Sequence, residues 1–189
     1  MKLFGKAMIA TVAFFAVQNS WANVSTVWDR PDLIPAVIKT VQVDVFDLKR
    51  ETPSLCKDSE CFRADIYLND IHIARWRVSP GRPHYGTEFV GGYTPAFEAR
   101  SYHPSHLHQH YKNRFGDSMP WAAFIKNSSG GKSGYATHCG HVTGRRESHG
   151  CIRMVCTGGR NDAKTLNLWI REAFKNGGSA KIWTRHTRP

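Results

Sequence analysis

Residues 138–153, His138-Cys139-Gly140-His141-Val142-Thr143-Gly144-Arg145-Arg146-Glu147-Ser148-His149-Gly150-Cys151-Ile152-Arg153, concentrate the side chains best able to do covalent chemistry. The thiolate is the reactive form of cysteine, and an adjacent imidazole or a tight glycine turn with exposed N–H groups favours it. Both lie within a few residues of Cys151. Gly150, directly before the thiol, lets the backbone turn sharply and aim its amides at one point, which is how an oxyanion is held. His138 lies on a separate short strand from which it can reach Cys151 as general base. Two other readings of the same residues stay open. Cys139, His141, His149 and Cys151 could form a zinc ligand set, although oxidation would compete with thiolate coordination if the chain is exported. Alternatively, Cys151 could be a buried structural thiol.

Other segments carry weaker signals. Tyr102-His103-Pro104-Ser105-His106-Leu107-His108-Gln109-His110 alternates imidazoles, which could converge on a metal if the segment were extended; the competing reading is a polar loop or lid over a cleft. Gly130-Gly131-Lys132-Ser133 resembles the end of a phosphate-binding loop, but Lys126 occupies the place of the required earlier glycine, so the segment reads as a flexible loop. Asn127-Ser128-Ser129 fits a glycosylation acceptor, a short pattern that carries little weight by itself. Trp121 and Phe124 could line a cleft, but alternate aromatics on a strand are more often core.

Several short elements must position these residues. Residues 37–48 alternate apolar with polar from Val41 onward, the period of a half-buried strand. Residues 62–68 and 71–78 repeat that pattern around Asn69-Asp70, a two-residue turn signal, so a β-hairpin is expected, ended by Pro80-Gly81. Residues 81–92 show no period and read as loop. Strands are expected at 121–126 and 135–138. Asn161-Asp162 can cap a helix whose apolar positions Ala163, Leu166, Ile170, Ala173 and Phe174 share one face, stopped by Asn176-Gly177-Gly178. A last strand runs from Ala180 to Thr184. The expectation is a mainly β single domain with one long helix, a sandwich or open barrel.

The amino terminus reads as an address. Lys2 and Lys6 precede an apolar stretch from Ala7 to Val17, and Ser20-Trp21-Ala22 closes it, the form of a cleavable secretory signal over residues 1–22. About 11 apolar residues fall well short of the roughly 20 that span a bilayer, and no other stretch is apolar enough. Removing that segment takes away two lysines and no acid, lowering the formal charge from +11 to +9. Such a balance favours anionic surfaces: cell-wall polymers, lipid head groups or nucleic acid. Export and the scattered placement of the basic residues make nucleic acid the weakest of these.

Five cysteines in an exported protein leave at least one without an intramolecular partner. Cys56 and Cys61 sit in one short polar loop and form the first expected pair. Pairing Cys139 with Cys156 would staple the region around Cys151 and leave that thiol free.

Ser148-His149-Gly150-Cys151-Ile152-Arg153, with His138 upstream, resembles the signature of the L,D-transpeptidase (YkuD-type) catalytic domain. Met119-Pro120-Trp121-Ala122-Ala123-Phe124 is similar to the family's Met-Pro-aromatic strand, and Tyr135-Ala136-Thr137-His138 to its histidine-bearing strand. The resemblance covers roughly residues 40–158 and implies a β-sandwich-like catalytic domain over 23–189, acting on peptidoglycan in the periplasm. It also implies a ping-pong reaction. Cys151 attacks the carbonyl between the third, diamino residue and the fourth residue of a tetrapeptide stem, and D-Ala leaves. The thioester then passes to an amine of another stem, to an amine on a wall-linked lipoprotein, or to water. In that scheme His138 moves the proton and is oriented by the backbone carbonyl of Cys139. His149 and Gly150 shape the site, and the amides of Gly150 and Cys151 face the oxyanion. Ser148 supports the turn, Arg153 positions substrate, and neither metal nor organic cofactor is required.

The chain departs from the family pattern in four places. Only nine residues separate His138 from Ser148, a short loop that bears on acceptor binding. Thr94-Pro95-Ala96-Phe97 only partly matches the family's Thr-Pro-x-Gly-x-Phe stretch. Cys139 and His141 flank the base, and an oxidised Cys139–Cys151 pair would silence the enzyme. There is no wall-binding repeat. Three functions follow in order: transfer, hydrolysis as a carboxypeptidase or lipoprotein-releasing amidase, and non-catalytic binding of wall or metal.

Overall fold

A computed structural model of the chain describes residues 28–48, 61–81, 100–126 and 130–184. The expected signal segment 1–22, the expected loop from residue 82 to 92, the 94–97 stretch, Cys56 and Asn127-Ser128-Ser129 lie outside them.

The alternating run after Lys39 forms strand β2 (Thr40–Asp47), with Val41, Val43 and Val45 turned into the main core. It pairs antiparallel with β3 (Phe62–Leu68), which turns into β4 (Ile71–Ser79). The turn between them holds Asn69 at φ 48° and Asp70 at φ 67°. Two consecutive left-handed residues match the right-handed twist of the flanking strands, which is why Asn-Asp makes a tight hairpin here. Asn69 has a second role. Its Oδ1 accepts from the amides of Lys39 and Thr40 at 2.8 and 3.0 Å, and its Nδ2 donates to the Val37 carbonyl at 2.8 Å, fixing the entry to β2.

The remaining strands are β1 (Trp28–Asp29), β5 (Arg100–His108), β6 (Ala122–Lys126), β7 (Lys132–Cys139), β8 (Ile152–Met154) and β9 (Ser179–Thr184). Their order is β1-β4-β3-β2-β9-β5-β6-β7-β8, and β8 also pairs with β4. The expected sandwich is therefore corrected to a closed barrel of eight strands, β2 to β9, with β1 added outside it. Closure depends on the outer edge of β4, which holds β1 at Ala74 and Arg75 and β8 at Val78 and Ser79. The mainly β class stands, with one long helix among the described residues.

Two further expectations change. The histidine-dense segment expected as a loop or lid is strand β5, because Tyr102, Leu107 and His108 pair with Ile125, Ala123 and Ala122 of β6. Tyr102 is fully buried there. The strand expected at 135–138 begins earlier, at Lys132, where it pairs with Lys126.

The helix α1 (Asp162–Lys175) starts where Asn161 accepts from the Lys164 amide at 2.9 Å. Its buried face is Ala163, Leu166, Ile170 and Ala173, packed into the main core, with Phe174 half-buried beside it. Each large apolar side chain so buried contributes roughly 1.5–3 kcal/mol. Asn167, wholly buried, donates from Nδ2 to the carbonyls of Trp121 and Ala122, which ties the helix to the start of β6. Among the described residues no helix is long and apolar enough to cross a membrane.

Candidate active site

β7 and β8 run parallel, with Thr137 opposite Ile152, His138 opposite Arg153 and Cys139 opposite Met154. Cys151 therefore sits one residue before β8, across from Ala136. The two faces of this sheet differ. Ile152 and Met154 enter the main core, whereas Cys151 packs with Ala136, Met119, Ala122 and Phe124 in a small cluster on the opposite face. Side chains two apart on a strand share a face, so His138 lies on the face of Ala136 and Cys151. Imidazole and thiol are diagonal neighbours, a spacing that longer side chains bridge.

The connection from β7 to β8 is secured by long-range polar contacts. Ser79 Oγ accepts from the amides of Thr143 and Gly144 at 2.9 and 3.0 Å. The Arg77 guanidinium donates to the Thr143 carbonyl. The Pro80 carbonyl accepts from Glu147 and Ser148, and Gly81 bridges to Ser148. The end of β4 thus acts as the anchor for the loop that delivers the thiol. In the sequence Pro80 stands only as the end of the hairpin, and nothing local in 77–80 signals contact with 143–148.

Ser148 is 2 % exposed and sits inside the last turn. Its hydroxyl accepts from the Gly150 amide at 3.2 Å and donates to the Cys151 carbonyl. One of the two amides expected at an oxyanion is thus turned toward Ser148. Gly150 is at φ +113°, a conformation that side chains rarely adopt, and a Cβ there would lie 2.7 Å from Cδ1 of Tyr135 and nearer still to Cε1. Glycine is required both by the backbone angle and by the ring packed against it. Tyr135 is a site neighbour that the sequence placed only on the histidine-bearing strand. His149 is exposed, and Arg153 is half-buried on β8 with its aliphatic chain against Gly140.

His138 is 7 % exposed, and its Nδ1 lies 2.7 Å from the Cys139 carbonyl oxygen. A carbonyl only accepts, so Nδ1 carries the proton and Nε2 is left as the basic nitrogen. Burial depresses the imidazole to about 4, the hydrogen bond to Cys139 opposes that, and the Arg153 charge adds to it. Burial also pushes the Cys151 thiol up, against a backbone hydrogen bond from Ala136 and the charge of Arg153. Its Sγ lies 3.9 Å from the Gly134 carbonyl. At neutral pH the resting pair is therefore a thiol beside a neutral imidazole.

Cys139 and Cys156 form a disulfide with Cα atoms 5.6 Å apart, and Cys151 is the free cysteine among the described residues. The zinc set of Cys139, His141, His149 and Cys151 is corrected on that ground, because the Cys139 sulfur is already bonded. Cys61 is also disulfide-bonded. Along β5 the rings of His103, His106 and His108 follow one another at 4.4 and 5.7 Å, with His106 and His108 edge-on to Phe124. His106 and His108 thus lie against the outer cluster at Phe124, and no group of three or more His, Cys, Asp or Glu able to hold a metal occurs among the described residues. Phe124 serves as core of this outer cluster, while Trp121 packs against the main core under Lys164.

No curated protein matches the chain. The family model for YkuD, the L,D-transpeptidase catalytic domain, matches residues 55–175, more than half of its length. That span contains His138, Cys151 and the loop between them, and the chain belongs to the YkuD family of L,D-transpeptidase catalytic domains.

Proposed function

We propose that the protein is exported through cleavage after Ala22 and works in the periplasm as a peptidoglycan L,D-transpeptidase, with residues 23–189 as its catalytic domain. The observation that carries this reading is the unbonded Cys151 on the same strand face as His138, whose Nδ1 is committed to the Cys139 carbonyl. Nε2 takes the thiol proton as sulfur attacks the carbonyl that precedes D-Ala in a tetrapeptide stem. The tetrahedral oxyanion is held by the turn at Gly150 and Cys151, with the Cys151 amide the donor left once Ser148 has engaged Gly150. Collapse breaks the peptide bond, the imidazolium returns its proton to the leaving amine of D-Ala, and a thioester remains on Cys151. An amine of a second stem or of a wall-linked lipoprotein then attacks that thioester, losing a proton to His138, and the thiol is restored. Arg153, lowering both the thiol and the imidazole, favours thiolate while keeping the base neutral, and its charge suits a stem carboxylate. A bridged Cys139–Cys156 pair suits an oxidising compartment.

Incubation of the purified protein with disaccharide-tetrapeptides tests the proposal. Cross-linked dimers with released D-Ala are expected; tripeptides alone would identify a hydrolase, and unchanged substrate would remove the enzyme reading. Cys151→Ala should abolish turnover, by about 10⁶-fold if nucleophile and base act as one unit, with an unchanged melting curve. Activity retained in that variant would defeat the assignment.

A further inference from the structure

We infer that the Cys139–Cys156 disulfide positions the base, so that Cys156, which touches no reactant, is a positioning residue for His138. The inference rests on the roles of His138 and Cys151 proposed above and adds a dependence that those roles alone do not require.

Cys139 does two things at once. Its carbonyl accepts the Nδ1 proton of His138 at 2.7 Å, and its sulfur is bonded to Cys156. The direction of that carbonyl is set by the peptide plane it shares with the Gly140 amide, since the peptide unit is rigid. The Gly140 amide donates to the Met154 carbonyl at 3.1 Å, two residues before Cys156. On the near side, the Cys139 amide donates to Pro120 at 2.9 Å. Cys139, whose carbonyl orients the imidazole, is thus held at Pro120 through its own amide, and the plane of that carbonyl at the end of β8 through the Gly140 amide.

The end of β8 is weakly held by its ladder. The strand is three residues long and meets β7 at three positions and β4 at two, with Cys139 opposite Met154 as the last pair on the β7 side. Terminal pairs fray first. The disulfide lies just past that pair and locks it. It also closes a covalent ring over a sequence separation of 17 that includes Cys151, so base support and nucleophile belong to one loop. With the bridge absent, the Gly140–Met154 contact opens, the Cys139 carbonyl turns, and Nε2 loses its fixed aim while Cys151 stays in place.

The test compares wild type with Cys139→Ala/Cys156→Ala, a double variant that leaves no new thiol to pair with Cys151. Turnover of a disaccharide-tetrapeptide, its pH dependence, thermal melting and the downfield imidazole N–H proton resonance, assigned by its loss in His138→Gln, are read on both. The expected result is a fall in kcat of about 100-fold with KM little changed. The acid limb should rise toward the ordinary imidazole value, and the N–H resonance should exchange away. A bridge that only stabilises the fold would lower the melting temperature and leave the resonance, the acid limb and kcat of the folded protein as in wild type, which would overturn the inference. If the double variant does not fold, wild type is titrated with dithiothreitol, which is oxidised to its own cyclic disulfide as the bridge is reduced to two new thiols, located at Cys139 and Cys156 by peptide mass after alkylation so that they are told apart from Cys151 and from the bridge at Cys61. Loss of the resonance in step with the bridge, at constant circular dichroism, supports the inference, and a resonance that outlasts the bridge overturns it. Because that resonance needs no substrate, failure of wild type to process any stem would count against the proposed function alone.

Discussion

The β2–β3–β4 meander and the β7–β8 pair are ladders of one barrel held by different means. β2 and β3 are joined through every position from Val41 to Asp47, and their inward side chains, Val41, Val43, Val45, Ala64, Ile66 and Leu68, are wholly or almost wholly buried. β7 and β8 meet at three positions, and the connection between them hangs from Ser79, Pro80 and a disulfide. In the first arm stability is spread over apolar area, so no single polar atom decides the structure. In the second, individual hydrogen bonds and one glycine fix where a sulfur and a ring nitrogen stand. The meander should accordingly respond to substitution in stability, and the β7–β8 arm in rate.

The sharpest form of that contrast is Gly150→Ala. A methyl group there meets the Tyr135 ring and forces a left-handed angle on alanine, so the turn carrying the thiol must move. Turnover is expected to fall about 10³-fold, with a much smaller change in melting temperature; near-normal kcat would break the comparison. Ile66→Ala is the counterpart in the meander. It should cost about 3 kcal/mol in denaturant unfolding while kcat per folded molecule stays at the wild-type value, because Ile66 faces the core far from the outer cluster. Ser79→Ala lies between the two arms. It strips the acceptor from two amides, and should lower stability by about 2 kcal/mol and kcat by about tenfold, the combination that an anchor shared by both arms requires. The smallest effect concerns pH. With His138 held down to about 4 and the thiol pushed up, proton transfer to neutral imidazole is available across the acidic range. kcat/KM should be nearly flat from pH 7 to 5 and fall only near the depressed imidazole value. A fall beginning near the ordinary histidine value, 6.5, would mean that water reaches the ring in the working enzyme.

What could be read in the sequence divides along the same line. β2, the β3–β4 hairpin with its Asn69-Asp70 turn, and α1 with its Asn161 cap were legible because each is specified by a period or a cap within a few residues. The segment from His138 to Arg153 carried the family pattern, and the family stands; the Cys139–Cys156 pairing was legible because it staples that segment while leaving Cys151 free. Closure of the barrel was not. It depends on Val78 and Ser79 meeting Met154 and Arg153, and on Arg100 and Ser101 meeting Ile182 and Lys181, short pairings between distant segments with no local sign. β5 was missed because its imidazoles look like solvent-exposed loop, whereas they sit over Phe124 on the outer face with Tyr102 turned inward. The anchoring of residues 143–148 by Ser79 and Pro80 was invisible for the same reason.

β9 occupies the gap between β2, to which it is parallel, and β5, to which it is antiparallel, so it is the keystone of the ring. Among the described residues, none of the preceding strands joins β2 to β5. As the chain emerges, the meander can assemble early, but the arch stays open, with two unsatisfied backbone borders, until residues 179–184 arrive. Assembly therefore waits on contacts between segments far apart in the chain, the class that folds on millisecond-to-second scales. Until then those two borders are where a neighbouring chain could graft itself, and the arrival of one short segment covers both together.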